Sequence, residues 1–309
     1  MLRHLLSRLL QALPIALLVA SLVFSLIHLI PGDPVEIMLG EGAQAADVEA
    51  LRERLGLNRP LTEQYLEFMS GLLRGDLGDS IHYDRPVSAI LMEHYPATLE
   101  LAMASLLVAL LISFPLGIFA ALGRDGPIDH LSRGTALLGV SMPNFWLGPM
   151  LILVFSIYWN WFPVSGRDGL ISLVLPAVTL GTALSGLLTR MVRSSMVEEL
   201  DRPYMTTARA KGLGASAVVL RHALQNALIP VVTVVGLQFG ALLTGAIITE
   251  TIFSWPGIGR LLIQAIRLRD YPLIQGGVLL IAVTYVVVNL ATDLLYAVLD
   301  PRIRRSSSV

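Results

Sequence analysis

The side chains able to do chemistry in this 309-residue chain are few and scattered. Six histidines (His4, His28, His82, His94, His130 and His222) include no i,i+4 pair, the spacing that sets two imidazoles on one helix face as metal ligands. The chain has no cysteine, which excludes disulfides, thiolate metal sites and cysteine nucleophiles together. Its one lysine, Lys211, is followed by Gly212 and Leu213. A phosphate loop of the G-x-x-x-x-G-K-S/T type is therefore impossible, and no ATP is expected in such a loop of this chain. Acids at membrane depth are functional candidates by default. Glu100 and Glu250 fall at the ends of apolar runs, where an interfacial or capping role suits them, while Asp293 lies deeper. An intramembrane enzyme would need a Ser/His or paired-Asp arrangement at bilayer depth, and the apolar runs contain none. Asn144, Gln238, Asn289 and Asp293 remain as candidates for a substrate pathway, and each can equally tie neighbouring helices together by a hydrogen bond.

Composition says what must position these groups. Apolar residues make up 54% of the chain and charged residues 15%, against about 25% charged in soluble domains. Most of the surface must therefore face lipid or protein, and the chain is expected to be an all-α integral membrane protein. With a net charge of −1, bulk charge gives no basis for nucleic-acid binding. A membrane-crossing helix needs about 20 apolar residues. Six windows qualify: 9–30, 99–122, 136–158, 170–188, 227–252 and 274–299. The first is too long for a cleaved signal core and reads as a retained signal anchor. Gly236, Gly240 and Gly245 interrupt the fifth, allowing either close helix approach or a bent backbone. With six spans both termini share a side. Positive residues number 13 on that side and nine on the other, five of the nine lying in the long segment 31–98. Long loops translocate largely regardless of charge, so both termini are expected in the cytoplasm.

This divides the chain into the first span (1–30), an extracytoplasmic helical segment (31–98), a membrane core (99–299) and a cytoplasmic tail (300–309). In the second part, Val48, Leu51 and Leu55 pattern one amphipathic helix, and Tyr65, Leu66, Met69, Leu72 and Leu73 a second, stopped by Gly75. Its twelve acids against five arginines suit a solvated cap, a docking face for an extracytoplasmic partner, or both. Trp159, Trp161 and Phe162 read as an interfacial aromatic anchor. Between Trp255 and Tyr271, Pro256, Gly257 and Gly259 disfavour a continuing helix, and three arginines resist lipid, so a re-entrant or interfacial element is expected.

The connection at residues 190–226 carries the most information. Pro203 can open a helix, Tyr204 to Lys211 can continue it, and Gly212-Leu213-Gly214 stops it. A second helical run from Ala215 feeds the fifth span. Tethering between two spans argues against a DNA-reading helix-turn-helix and for a short helix presented to a cytoplasmic protein. Here the residues match a known pattern. Met205-Thr206-Thr207-Ala208-Arg209-Ala210-Lys211-Gly212-Leu213, followed by Arg221-His222-Ala223-Leu224-Gln225-Asn226-Ala227-Leu228-Ile229-Pro230, resembles the EAA loop of ABC-importer permeases of the dipeptide, oligopeptide and nickel branch. His28-Leu29-Ile30-Pro31-Gly32-Asp33-Pro34, Pro96-Ala97-Thr98-Leu99-Glu100, Phe253-Ser254-Trp255-Pro256-Gly257-Ile258-Gly259-Arg260 and Asp300-Pro301-Arg302 resemble the same branch. Thr206, Thr207 and Ala208 stand where the Glu-Ala-Ala triplet is expected, so the acidic residue is absent here.

The resemblance implies a type I ABC-importer permease fold in a bacterial cytoplasmic membrane, of about six spans with a cytoplasmic coupling helix. It implies a homologous second permease subunit, two ATPase subunits that carry ATP and Mg, and an extracytoplasmic binding protein that delivers the cargo. Peptides are the expected cargo, with nickel or a metal chelate as the alternative. Tyr204, Thr206, Thr207, Ala208, Arg209, Ala210, Lys211, Gly212 and Gly214 are the residues expected to couple the chain to an ATPase subunit.

Overall fold

The computed structural model describes residues 2–29, 34–40, 42 and 44–299. They form thirteen α-helices: α1 (Leu2–His28), α2 (Pro34–Leu39), α3 (Ala45–Arg54), α4 (Leu61–Arg74), α5 (Val87–Leu122), α6 (Pro127–Ser141), α7 (Asn144–Leu151), α8 (Leu170–Leu200), α9 (Pro203–Ala210), α10 (Ala215–Ala217), α11 (Leu224–Ile252), α12 (Ile258–Leu268) and α13 (Tyr271–Leu299). Two π-helical stretches continue α7 (Ile152–Tyr158) and join α10 to α11 (Val218–Ala223). The chain divides into two compact units, residues 1–97 with 256–286, and residues 98–255 with 287–309. Among the described residues, Val87–Leu122, Leu170–Leu200, Ala215–Gly240 and Tyr271–Thr292 are each long and apolar enough to cross a membrane, and Leu13–Ser25 is a shorter apolar stretch.

In the first unit, α3 and α4 occupy the two stretches patterned for amphipathic helices. α4 ends at Gly75, whose left-handed conformation lets its N–H reach back to the carbonyls of Gly71 and Leu72. Residues 253–257 break the chain after α11, and α12 is a separate helix that buries Ile258, Leu261, Leu262 and Ala265 on one face. Those residues pack with Val87, Ile90, Leu91 and Leu273. Asp270 joins α12 to α13. It is 1% exposed and accepts from the Ser80 hydroxyl, the His82 N–H (3.2 Å) and the Leu273 N–H (3.2 Å), the last in the first turn of α13.

The second unit is organised around α8. Fifteen of its residues are buried, including Leu175, Leu180, Leu184, Leu188, Val192 and Met196. Lipid rewards no association of apolar helices, so close backbone approach through small residues must supply the contact. A Cβ at Gly186 would lie 2.3 Å from the Ala136 carbonyl oxygen of α6, and one at Gly181 would lie 2.6 Å from the Ser105 carbonyl oxygen of α5. α11 runs unbroken through Gly236, where a Cβ would overlap Thr292 of α13. The glycine there serves close approach and not a bend.

Two expectations about the spans need correction. The window 136–158 is not a straight span, because α6 and the α7 segment meet at a bend of 100°. Met142 precedes Pro143 and is forced to extended backbone (φ −82°, ψ 116°), which ends α6. The window 170–188 was too short, since α8 continues past Arg190 and Arg193 to Leu200.

The α6–α8 crossing gives a direct test. Gly186→Val should destabilise the protein by about 1–3 kcal/mol through overpacking, read as a lower melting temperature in detergent. Gly134→Ala, in open space on α6, should leave the melting temperature unchanged or slightly raised. Equal melting for Gly186→Val and the parent would refute the close crossing.

Candidate coupling site

α9 is bounded as its sequence demands. Arg202, ahead of Pro203, is extended (φ −73°, ψ 146°), and Pro203 opens the helix where no N–H is required. After Lys211 the chain turns at Gly212 with φ +78°, a left-handed conformation that costs other residues about 1–2 kcal/mol.

The helix has two faces. Met205 (1% exposed) and Ala208 (7%) point inward, and Tyr204 is half-buried beside them. They pack into a core with Ala121 of α5, Val192 and Met196 of α8, Val218 and Ala223 of the π-helical turn, and Ala227 and Val231 of α11. Thr206, Thr207, Arg209 and Ala210 lie on the outer face, followed by Lys211, Gly212 and Gly214, all exposed. Tyr204 and Ala208, expected to meet a partner, thus face this chain's own core, and seven of the nine expected coupling residues stay available. Eight residues make little more than two turns, too few for sequence periodicity to separate the faces.

The Tyr204 hydroxyl fixes the helix further. It donates to Glu199 at the end of α8 and accepts from Asn226 Nδ2 of α11 at 2.9 Å. Burial, then the Glu199 carboxylate, push the phenol above its ordinary value, so it stays a donor at physiological pH. Arg202 adds contacts to Glu198 at 2.9 Å and Glu199 at 3.0 Å.

A second polar cluster stands nearby in the same unit. Asp129, in the first turn of α6, is wholly buried. Arg193 of α8 donates through Nε and Nη2 to its two carboxylate oxygens at 2.6 Å each, and Arg133 does the same at 3.0 Å each. The Asp125 N–H donates to Oδ2 at 3.0 Å. Sequence reasoning counted these arginines as loop charge. The signals that could have found the cluster are the i,i+4 spacing of Asp129 and Arg133 and an acid in the first turn of a helix opened by Pro127.

The candidate pathway residues are separate in sequence but belong to one unit. Asn144 starts α7 just after the bend, Gln238 lies on α11 and Asn289 on α13, all half-buried. Asp293 lies on α13 with its side chain outside the described residues. Thr249 Oγ1 on α11 is buried and, among the described residues, has no hydrogen-bond partner. Glu100 accepts Arg167 Nε and Nη2 at 2.8 and 2.6 Å, and the Arg167 guanidinium lies 5.9 Å from the ring centre of buried Trp255. Glu250 is fully buried and accepts the Thr98 hydroxyl at 2.7 Å. In the first unit a cavity of about 420 Å3 is lined by Phe24, His28, Arg54, Glu67, Phe68 and Gln275 among others. Its polar lining is engaged internally, Glu67 by Arg59 and Gln275 by the Val23 carbonyl.

Removing the Tyr204 hydroxyl tests how α9 is held. Tyr204→Phe keeps the ring but gives up a hydrogen bond to a charged group, worth about 1.5–3 kcal/mol. Amide exchange of α9 should speed by about tenfold, at 1.4 kcal/mol per decade, while α8 is unchanged. Unaltered exchange would mean that the apolar core alone holds the helix.

Residues 113–305 match the family described as binding-protein-dependent transport system inner membrane component, and residues 1–102 match the N-terminal part described for such membrane components. Among curated proteins, the chain is 45% identical over 336 aligned residues to the dipeptide transport system permease protein DppB of Escherichia coli K12, covering 98% of this chain and 99% of that protein. It is 43% identical over 304 residues to the glutathione transport system permease protein GsiC of Pectobacterium atrosepticum, with the same coverage. Among solved structures, a chain of the MetNI methionine ABC transporter in an inward-facing conformation superposes with a TM-score of 0.57 at 16% identity, over 68% of this chain and 96% of that one. An amino acid ABC transporter chain gives 0.51 at 16% identity, over 70% and 94%. The shared helical fold, the near-complete coverage and the match across residues 113–305 agree: the chain belongs to the inner-membrane permease components of binding-protein-dependent ABC importers.

Proposed function

We propose that this chain is one of two homologous pore-forming subunits of an ATP-driven peptide importer, with both termini in the cytoplasm and the outer face of α9 seated in a groove of an ATPase subunit. The observation that carries this reading is the two-faced α9. Its inner face is packed against α5, α8 and α11 and hydrogen-bonded to Glu199 and Asn226, while Thr206, Thr207, Arg209, Ala210 and Lys211 stand exposed. A helix so anchored passes a push at its outer face to the membrane helices as a rigid-body displacement. Arg209 and Lys211 offer charge-assisted hydrogen bonds to the partner. Hydrolysis of ATP belongs to that partner, and an extracytoplasmic binding protein delivers the cargo.

Peptide cargo is favoured over nickel by the named relatives, one a dipeptide and the other a glutathione permease. Half-buried Asn144, Gln238 and Asn289 are proposed to face the pathway, and Asp293 of α13 stays a candidate on its sequence position alone. Amides of this kind within apolar helices are costly unless they meet water or a polar partner.

The test is reconstitution with the cognate permease, ATPase and binding-protein partners in vesicles. ATP-dependent accumulation of a labelled dipeptide is expected, and accumulation of nickel instead would overturn the cargo. Gly212→Asp should cut uptake about tenfold or more, within the usual range of coupling between sites, since it sets a side chain and an anion at the helix C-terminus beside exposed Arg209 and Lys211. The same variant should leave membrane insertion and cargo capture by the binding protein intact. Near-normal uptake would show that this loop does not couple.

Sidedness has its own test, made clean by the absence of native cysteine. Glu63→Cys, exposed on α4, should react with a membrane-impermeant thiol reagent in intact cells, and Ser308→Cys should not. The reverse pattern would invert the topology.

A further inference from the structure

We propose that the elbow between α5 and α6, residues 123–126, is a second transmission element, and that Asp129 is the positioning residue that pins it to α8. The inference rests on the coupling role proposed for α9. A merely structural contact between α6 and α8 needs no buried charge, because Gly186 and Ala136 already bring the two backbones together. Asp129 nevertheless carries its carboxylate to full burial and surrounds it with four guanidinium N–H donors and one backbone N–H. Both oxygens are thereby saturated, and the planar forks of two arginines fix its position more narrowly than point charges could.

The elbow is bound at both ends of this arrangement. Asp125, with φ +60°, gives its N–H to Asp129, and its carboxylate lies 3.7 Å from Arg133. Arg124 donates to Asp201 at 2.9 Å, and Asp201 stands at the junction of α8 and α9. A displacement of α9 that moves the end of α8 is delivered through the Arg193–Asp129 pair to α6 and the end of α5, in parallel with the route through α11. The Arg124–Asp201 pair, more than half exposed on both sides, adds only a weak surface tie. Buried ion pairs contribute little net stability against apolar replacements but can fix register. Register is what a transmitting contact requires.

The distinguishing readout is cargo transported per ATP hydrolysed, measured on the reconstituted complex with partners and labelled dipeptide. In Asp129→Asn, cargo per ATP should fall about tenfold, within the usual range of coupling between sites, while ATP turnover in the absence of cargo stays within about twofold, less than about 0.5 kcal/mol. Arg193→Lys should fall in between, since an ammonium lacks the planar pair of parallel N–H donors that fixes the carboxylate. The double variant Asp129→Leu with Arg193→Met removes the buried charge with its more buried partner, leaves half-exposed Arg133 to water and to Asp125 at 3.7 Å, and is expected to fold and assemble. It should hydrolyse ATP yet transport poorly.

Parental cargo per ATP in the double variant or in Arg193→Lys overturns the proposal. So does a parallel loss of uptake and hydrolysis at a constant ratio. A parental complex without ATP-driven uptake would instead overturn the function on which the proposal rests. Loss of uptake in Gly212→Asp alone, with the Asp129 and Arg193 variants normal, would remove the elbow and leave α9 as the coupling element.

Discussion

Lipid gives two apolar helices no hydrophobic reason to associate, so a membrane fold must draw its order from close backbone packing and from the few polar groups that cannot tolerate lipid. In residues 98–255 both resources converge on α8. Gly181 and Gly186 bring its backbone against α5 and α6. Below them, Arg193 holds the buried carboxylate of Asp129. Each contact selects one register of its helix pair, because a shift by one residue would put a side chain where only hydrogen fits or leave a carboxylate unpaired.

The same constraint gives α9 its character. An isolated eight-residue helix is unstable in water, and this one persists because Tyr204, Met205 and Ala208 enter a core drawn from three longer helices. A short helix held in that way turns one face to its own core and the other outward. The π-helical turn at Val218–Ala223 carries the connection from α10 into α11 and places Ala223 in that core. Such turns recur at functional positions in helices. The polar junction around Glu199, Arg202 and Asp201 adds contacts at the end of α8, the hydrogen bond from Tyr204 to Glu199 half-buried and the others at the surface.

Much of this was legible in the sequence. Hydropathy placed helices in the six apolar windows, although among the described residues four, or five with the bent α6–α7 pair, are long and apolar enough to cross a membrane. Pro203 and Gly212 marked the ends of α9. Gly75 marked the end of α4. The failures share a cause: each depended on direction or on distant partners. A hydropathy window counts apolar residues but is blind to the turn that Met142 and Pro143 impose. Arg190 and Arg193 read as loop charge because the carboxylate serving Arg193 lies 64 residues away in sequence. The inward face of Ala208 was hidden by the shortness of its helix. The grouping of residues 256–286 with the N-terminal segment rests on contacts between α12 and the start of α5 that no local pattern encodes.

If α6, α8 and α9 move as one body, a distance across them must survive the transport cycle. Spin labels at His130→Cys on α6 and Ala210→Cys at the end of α9, both exposed, can be placed without competing cysteines. The distance between them should be the same in nucleotide-free and ATP-bound complexes, while either label moves relative to one on the second permease subunit. A change in the His130–Ala210 distance between the two states would contradict the account, because α9 would then be shifting against the helices it is supposed to carry.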